Sequence, residues 1–407
     1  MNSKTIVQKY GGTSVGTPER IKAVAARIKK YVDNGYSVVT VVSAMGKTTD
    51  VLIDLAKQVA PKPSGREMDM LLSTGEQVSI SLLAMALQET GIDAISFTGS
   101  QIKMITEGEH REAKIVSIDS EVIQRQLDIN KVVIVAGFQG VDKDDNITTL
   151  GRGGSDTSAV ALAAALKCRD CEIYTDVDGV YTADPRTVHN TIKLKEITYD
   201  EMLELARLGA GVLHSRSVEF AKKYNVRLHV RSSFSEVEGT IVKPEGEMME
   251  KFVINGVTTK DDEAKFTIRD IPDAPGIASR VFSKIGEGKV NVNMIVQSTG
   301  KDNHATISFT VPSKDIDKVK AICDNLKTDL NATEVSYDDS IAIVSAVGVG
   351  MLSNPGVAGR MFKVLSDHNI NIQMISTSEI GISCVIDGMY AELALKAIHK
   401  EFLEKNK

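Results

Sequence analysis

The sequence predicts an α/β protein in which residues 5 to about 230 form a mostly parallel sheet covered by helices on both faces, followed by a duplicated α+β tail. Three observations predict it. From residue 5 to about 230, short apolar runs of strand length alternate with stretches of helical spacing, the pattern of strands linked by crossover helices. A glycine-rich stretch, Leu150-Gly-Arg-Gly-Gly-Ser-Asp-Thr-Ser-Ala159, separates the apolar run Val132–Ala136 from an Ala/Leu-rich run ending at Leu166, making a strand–loop–helix junction. After about residue 260 the chain repeats itself with an offset of 80 residues.

Composition narrows the function classes. At 407 residues the chain is long enough for two or three domains, each with its own core. An apolar fraction of 42% and a charged fraction of 25% exclude a disordered chain. The net charge is −6 and Lys and Arg are scattered, so no electrostatic footprint for nucleic acid or an anionic membrane is present. Small ligands are the expected partners. The N-terminus runs into a strand pattern without an apolar signal core, and no apolar run reads as a membrane span, so a cytoplasmic protein is expected. Four cysteines are too few for a disulfide framework, and Cys168-Arg-Asp-Cys171 lacks the second pair or nearby His of a zinc site. Reduced, partly buried thiols follow.

The first strand, around Ile6-Val7, leads into Lys9-Tyr-Gly-Gly-Thr-Ser14. Thr17-Pro18-Glu19 then gives a cap residue followed by proline at the first helical position, and Ile21, Val24, Ile28 and Tyr31 recur at helical spacing. Gly11 and Gly16 have the outer spacing of a Walker loop, but Thr17-Pro18 stand where Lys-Ser/Thr is required. That mechanism is excluded, and Lys9 lies before the glycines instead. The second strand, Val38–Val42, empties into Ser43-Ala-Met-Gly-Lys-Thr-Thr-Asp50. Ligands of open α/β sheets gather at the carboxyl ends of strands, so polar loops recurring there point to one shared cleft. Glu76 follows a glycine turn ahead of the apolar helix Val78–Leu87, where it either favours the helix dipole or serves the cleft.

In the central junction, three glycines let backbone N–H groups approach a ligand, and Ser155 or Asp156 is expected to cap the helix whose positive end favours anions. Known phosphate loops fit poorly, since Asp156 occupies the third-glycine position of a dinucleotide fingerprint. An acid there repels a bare pyrophosphate, so Asp156 is read as organising a lysine or a magnesium ion. Arg152 offers a planar fork for a carboxylate or phosphate. Beyond it, the strand Glu172–Thr175 runs into Asp176-Val-Asp-Gly-Val-Tyr-Thr-Ala-Asp-Pro-Arg186, which lacks the third acid and terminal Glu of a calcium loop. A turn contacting nucleotide is the alternative.

In the repeat, Pro275-Gly-Ile-Ala278 matches Pro355-Gly-Val-Ala358, and Asn291-Val-Asn-Met-Ile295 matches Asn371-Ile-Gln-Met-Ile375. Each copy reads strand, Pro-Gly turn, amphipathic helix, strand, then a further strand and helix, which gives two ferredoxin-like βαββαβ modules. Gly276 and Gly356 open helices whose first N–H groups are unpaired, places where small anionic or zwitterionic ligands can dock.

Together, Lys9–Ser14, Ser43–Asp50, Ser73-Thr-Gly-Glu76, Gly137-Phe-Gln-Gly140, Gly151–Asp156 and Asp176–Pro185 resemble the motifs of the aspartate kinase (aspartokinase) family, and the repeat resembles its paired ACT domains. The resemblance covers nearly the whole chain. It implies an amino-acid-kinase fold as a catalytic domain over residues 1–245, a linker and strand at 246–262, and ACT domains at 263–335 and 340–407. It implies ATP-dependent, magnesium-requiring phosphorylation of L-aspartate to 4-phospho-L-aspartate, the first step toward lysine, threonine and methionine.

Carried over residue by residue, the resemblance gives Lys9 and Asp156 the catalytic roles, Lys9 bridging phosphoryl and carboxylate. Substrate binding falls to Ser43, Thr48, Thr49, Glu76, Arg152, Gly153, Gly154 and Ser155, with Arg152 on the α-carboxylate and Glu76 on the ammonium. ATP is bordered by Lys9, Tyr10, Gly11, Gly12 and Ser155, and by Tyr174, Thr175, Val180, Tyr181, Asp184, Pro185 and Arg186. The protein itself supplies no metal ligand, magnesium arriving with ATP. Many relatives place an ATP-contacting lysine where Gly211 stands, and Arg186, Arg207 and Arg216 are the nearby cations able to substitute. Inhibition by lysine, alone or with threonine, is expected at Asp273, Gly276, Ile277, Ala278, Asn291, Asn293 and Gln297 in the first module. In the second, Met351, Ser353, Val357, Gln373, Met374 and Glu379 are the counterparts. A homodimer or tetramer through the ACT domains is implied.

Overall fold

The computed structural model describes residues 4–247, 253–300 and 303–404, with the side chains of Lys4, Glu247, Leu352 and Ser353 outside that description. The expected effector residue Ser353 therefore lies outside the described side chains. The chain divides into two compact units. The first comprises Met1–Val180, Lys193–Arg207 and Gly211–Met249; the second comprises Tyr181–Ile192, Leu208–Ala210 and Glu250–Lys407.

The first unit opens with β1 (Lys4–Tyr10), α1 (Pro18–Asp33) and β2 (Tyr36–Val42). Thr17 caps α1 by accepting from Arg20 N–H at 3.3 Å, with Pro18 at the first helical position as the sequence predicts. Next come α2 (Thr48–Val59), α3 (Gly65–Leu72), α4 (Thr74–Glu89) and β3 (Ala94–Phe97). The run Gly65–Glu89 is apolar and long enough to cross a membrane by length and composition, which corrects the expectation that no such run exists. Half of its most apolar window is buried inside the unit, against the sheet. The short strands β4 (Ile105–Glu107) and β5 (Lys114–Ser117) precede α5 (Ser120–Leu127), β6 (Val132–Ala136), β7 (Gln139–Val141) and β8 (Ile147–Thr149). After these follow α6 (Gly154–Ala165), β9 (Asp170–Thr175), β10 (Glu196–Thr198), α7 (Tyr199–Arg207), α8 (Ser215–Tyr224), β11 (Arg227–Ser232) and β12 (Thr240–Lys243).

Eight of these strands form one sheet in the order β10-β12-β11-β9-β1-β2-β6-β3, parallel throughout except between β11 and β12. Side chains alternate along a strand, so the two faces bury different residues. Ile6 and Tyr10 of β1 join Val38, Val42 and Ile134 against α1 and α4. Lys9 points the other way, toward α6. A second small sheet, β5-β4-β7-β8, forms beside the loop that leads into α6. The helix entry differs from expectation. Gly153, not Ser155 or Asp156, is the N-cap, and no side chain caps α6.

The second unit holds two four-stranded sheets. One is β15-β16-β14-β17, built from β14 (Glu263–Pro272), β15 (Ile295–Thr299), β16 (His304–Pro312) and β17 (Glu334–Asp338), with α9 (Ile277–Glu287) and α10 (Ile316–Asp329). This is a complete βαββαβ module. The other is β13-β18-β20-β19, from β13 (Gly256–Lys260), β18 (Ile341–Val347), β19 (Met374–Thr377) and β20 (Gly381–Asp387), with α11 (Val357–Asp367) and α12 (Ala391–His399). Its fourth strand thus comes from upstream of the first module, Thr258 pairing with Ser345. As the repeat predicts, Gly276 and Gly356 are the N-caps of α9 and α11.

Residues 181–192 also belong to this unit. Ala183 and Val188 enter the core around Val344, Met361 and Leu395, and Thr182 Oγ1 lies 2.9 Å from His399 Nε2.

Candidate active site

Parallel strands in register end together, and that places the first unit's cleft. Tyr10 pairs with Val42 and Val42 with Ala136, so the loops after β1, β2 and β6 leave the sheet side by side. Between them and the start of α6 lies a cleft of about 530 Å³. Close approach shapes its floor, since a Cβ on Gly12 would sit 2.7 Å from the Ala44 carbonyl oxygen. At Gly153 both conformation and space require glycine. Its φ is +68°, and a Cβ there would lie 2.2 Å from Cβ of His214.

Lys9 and Asp156 meet at the centre, Nζ to Oδ1 at 2.6 Å, with both side chains nearly buried. The contact is an ion pair by distance, although Oδ1 has no partner aligned for a hydrogen bond. Asp156 stands in the first turn of α6, where the unpaired N–H groups also favour negative charge. Glu76 opens α4 from inside the protein. Its Oε1 accepts from Ala44 N–H at 3.0 Å, while its buried Oε2 has no partner. Burial pushes its carboxyl up to about 7, against the pull of the Ala44 N–H. A buried acid with one free oxygen is poised to receive a cation. Arg152 is exposed at the cleft and makes no hydrogen bond or ion pair among the described residues.

Of the other residues singled out for substrate, Ser43, Thr49, Gly153, Gly154 and Ser155 line the cleft. Thr48 does not, and its hydroxyl donates to the Met45 carbonyl at 2.6 Å at the start of α2. Of those singled out for nucleotide, Gly12 lines the cleft and Gly11 N–H donates to the Tyr174 carbonyl at 3.3 Å. The side chains of Tyr10 and Tyr174 are buried. Their rings stack at 4.7 Å, and Tyr174 donates to Glu172 at 3.0 Å, so only their backbone reaches the strand ends. Thr175 donates to Asp176 at 3.0 Å, and Val180 is buried with its N–H on Thr240. Tyr181, Asp184, Pro185 and Arg186 belong to the second unit. There Arg186 forks onto Asp184 and holds its carboxyl below the usual range.

The cations considered as substitutes for a lysine at Gly211 are committed elsewhere. Arg207 pairs with Glu219 at 2.7 Å, and Arg216 donates to the Leu150 and Ala113 carbonyls at 2.8 and 2.7 Å. His214 is half-buried with its pKa lowered by desolvation, so a neutral ring packs on the glycine loop. Several cleft residues escaped the sequence reading as site residues, among them Arg111, Phe138 and Thr149. Phe138 lay within the quoted Gly137–Gly140 motif and has a left-handed φ of +69°, whereas Arg111 carried no local signal.

In the second unit, Asn293 and Gln373 occupy equivalent places. Their N–H groups donate to the Thr310 and Val385 carbonyls at 3.0 and 2.8 Å, and their side chains engage Glu263 and Lys265. Asp273, Gly276, Asn291, Gln297 and Glu379 are exposed, and Ile277, Ala278 and Met351 are half-buried. Val357 and Met374 lie in the hydrophobic core.

A model of the amino acid kinase family matches residues 4–232, and one of the ACT domain matches 269–325 and 344–402. An aspartate kinase of Stutzerimonas stutzeri is 53% identical over 398 residues, 98% of this chain and 97% of its own. The chain belongs to the aspartate kinases of the amino acid kinase family. It is accordingly an enzyme that uses ATP to phosphorylate a carboxyl group. A crystal structure of aspartate kinase from Synechocystis is 49% identical, covering 98% of this chain and 69% of its own, with a TM-score of 0.55. Aspartokinase III of E. coli, solved with aspartate and ADP, shares the fold at a TM-score of 0.84 and 24% identity, over 98% of this chain and 99% of its own.

Proposed function

We propose that this aspartate kinase moves the γ-phosphoryl group of MgATP to the β-carboxylate of L-aspartate, giving 4-phospho-L-aspartate and ADP, the first step toward lysine, threonine and methionine. The observation that carries this reading is the buried Lys9–Asp156 pair in a cleft that also holds an uncommitted guanidinium and a buried acid with one free oxygen. A carboxylate with a pKa near 3.9 is already ionised at neutral pH, so the acceptor needs no general base. The obstacle is repulsion between two anions, and catalysis consists of positioning and charge neutralisation.

In this reading Lys9 lies between the incoming carboxylate and the γ-phosphoryl, and Asp156 keeps its ammonium in place. Arg152 holds the α-carboxylate, Glu76 takes the ammonium, and Ser43 and Thr49 touch the reacting end. Backbone N–H groups near Gly11, Gly12 and Ser155 receive phosphate oxygens. In this reading magnesium arrives with the nucleotide as part of the substrate.

The catalytic domain then spans residues 1–245, the linker and strand 246–262, and the ACT domains 263–335 and 340–407. Lysine, alone or with threonine, inhibits through these domains, which also join a homodimer or tetramer in the cytoplasm. The duplicated modules support this, as does the shared fold of E. coli aspartokinase III, which has been solved with lysine and aspartate. The test is ADP release measured against L-aspartate, L-glutamate and N-acetyl-L-glutamate, each with and without lysine and threonine. Turnover confined to aspartate and reduced by lysine is expected. Preference for either glutamate compound would overturn the acceptor, and indifference to both amino acids would overturn the regulation.

A further inference from the structure

One buried acid near the cleft has no part in the chemistry above. Asp69, on α3, is completely removed from solvent, yet its two oxygens receive three partners. The Thr149 hydroxyl donates to Oδ1 at 2.6 Å, the Arg111 backbone N–H donates to Oδ2 at 3.1 Å, and His110 Nδ1 lies 2.7 Å from Oδ2. A carboxylate withdrawn from water is tolerated only where its lone pairs are so engaged, which means that the partners' positions and the acid's are fixed together.

Two of those partners, Thr149 and Arg111, line the cleft. Arg111 adopts a left-handed backbone with φ +72°, an uncommon conformation for a residue with a long side chain. The bond to Asp69 holds it there, and Ala113 N–H donates to the Thr149 carbonyl at 3.0 Å, stitching the same loop to β8. The outcome of this bracing is a guanidinium in the cleft with no hydrogen bond or ion pair to any side chain among the described residues. Three cations line the cleft, and Lys9 is paired with Asp156. Arg111 and Arg152 are left uncommitted.

We propose that Arg111 is a specificity-determining residue that, with Arg152, forms a two-guanidinium cradle for the α-carboxylate of the amino-acid substrate, and that Asp69 is the positioning residue that aims it. This rests on the assignment of the cleft to aspartate. The chemistry selects the non-reacting carboxylate. A carboxylate has about four lone-pair sites, enough for two forks. The reacting β-carboxylate must keep a lone pair free for in-line attack, so it is poorly suited to such a grip.

The test compares full-length wild type with Arg111→Ala, Arg111→Lys, Asp69→Asn and Arg152→Lys. Initial rates are taken with L-aspartate and with its α-carboxamide, which keeps the ammonium and the β-carboxylate. Arg111→Ala, a change at an exposed side chain, is expected to raise the aspartate KM about tenfold or more. Its kcat should stay within a few-fold and its ATP KM should not move. It should also lose most of the wild-type preference for aspartate over the α-carboxamide, with Arg111→Lys recovering part of it. Asp69→Asn should shift the same KM in the same direction. A rise in ATP KM instead, or an undiminished preference for aspartate, would overturn the role given to Arg111. If Arg152→Lys also left the aspartate KM unchanged, the assignment of the cleft itself would fail, a separate outcome.

Discussion

Glu76 allows the sharpest quantitative test, because one buried carboxyl links stability to substrate binding with opposite signs. Its ionisation is displaced from 4.5 to about 7, principally by burial. The charged form is therefore higher in free energy within the fold than in water by roughly 3 kcal/mol. Because the folded carboxyl holds its proton to higher pH than the unfolded one, the stability it contributes is intact below pH 4.5 and is lost as pH rises through about 7. Glu76→Gln abolishes this titration and keeps an oxygen to accept from Ala44 N–H. Without ligand, the variant should gain about 2 kcal/mol over wild type between pH 5.5 and 8.5. For a unit of this size that is a relative rise of about 4–8 °C in the unfolding midpoint, read by thermal scans of both proteins at the two pH values. Binding should move the other way. Losing a charge-assisted bond to the substrate ammonium costs about 1.5–3 kcal/mol, so the aspartate KM should rise at least tenfold. In wild type the same KM should climb as pH falls below 7, when Glu76 takes up its proton. A midpoint difference that is flat with pH would refute the burial argument, and an unchanged aspartate KM would refute the ammonium contact.

Lys9→Ala should lower kcat by about a hundredfold or more. Adding Asp156→Asn to it should cost little further, since the two act as a unit; steady-state rates of the single and double variants decide whether the losses add. Gly153→Ala should destabilise the first unit by more than about 2 kcal/mol and depress activity, because the new Cβ meets His214 and the backbone is left-handed. Pairing it with His214→Gly removes the collision and leaves the backbone strain, so denaturation midpoints should show partial recovery. Gln373→Ala should raise the lysine concentration needed for half-inhibition about tenfold with the uninhibited rate unchanged, as read from inhibition curves.

The fold was legible where local pattern and global structure agree. Alternating apolar runs, the Thr17-Pro18 cap and the 80-residue repeat each reflect short-range physics, and each corresponds to the element expected. The second module shows where that stops. Read locally it should close on itself, but β18 needs hydrogen-bond partners along both edges, and β13 provides one of them from before the first module. A short run such as Gly256–Lys260 pairs equally well in principle with any open edge. Its choice is settled by the sheet it completes rather than by its own residues.

The site divides along the same line. Lys9, Arg152 and the glycines were legible because strand ends and tight turns leave spacing in the sequence. The three buried acids were not equally so. Glu76 reads equally as a helix-dipole residue or a cleft residue, Asp156 reads as the partner of a lysine or a magnesium ion only because glycines surround it, and Asp69 carries no signal at all, because nothing local distinguishes a solvated carboxylate from one that is buried. Burial makes the difference, and it is imposed from far along the chain. Asp69 is satisfied by Arg111 and Thr149, 42 and 80 residues away, and Asp156 by Lys9 on a strand across the sheet. Even the cap of α6 follows this rule, since Gly153 is required by His214 packing against it. An acid becomes informative once the cation or N–H groups that excuse its burial are known, and those groups in turn point to the residue it was buried to hold. At Asp69 that residue is Arg111, whose left-handed backbone and uncommitted guanidinium have no other structural reason in this cleft.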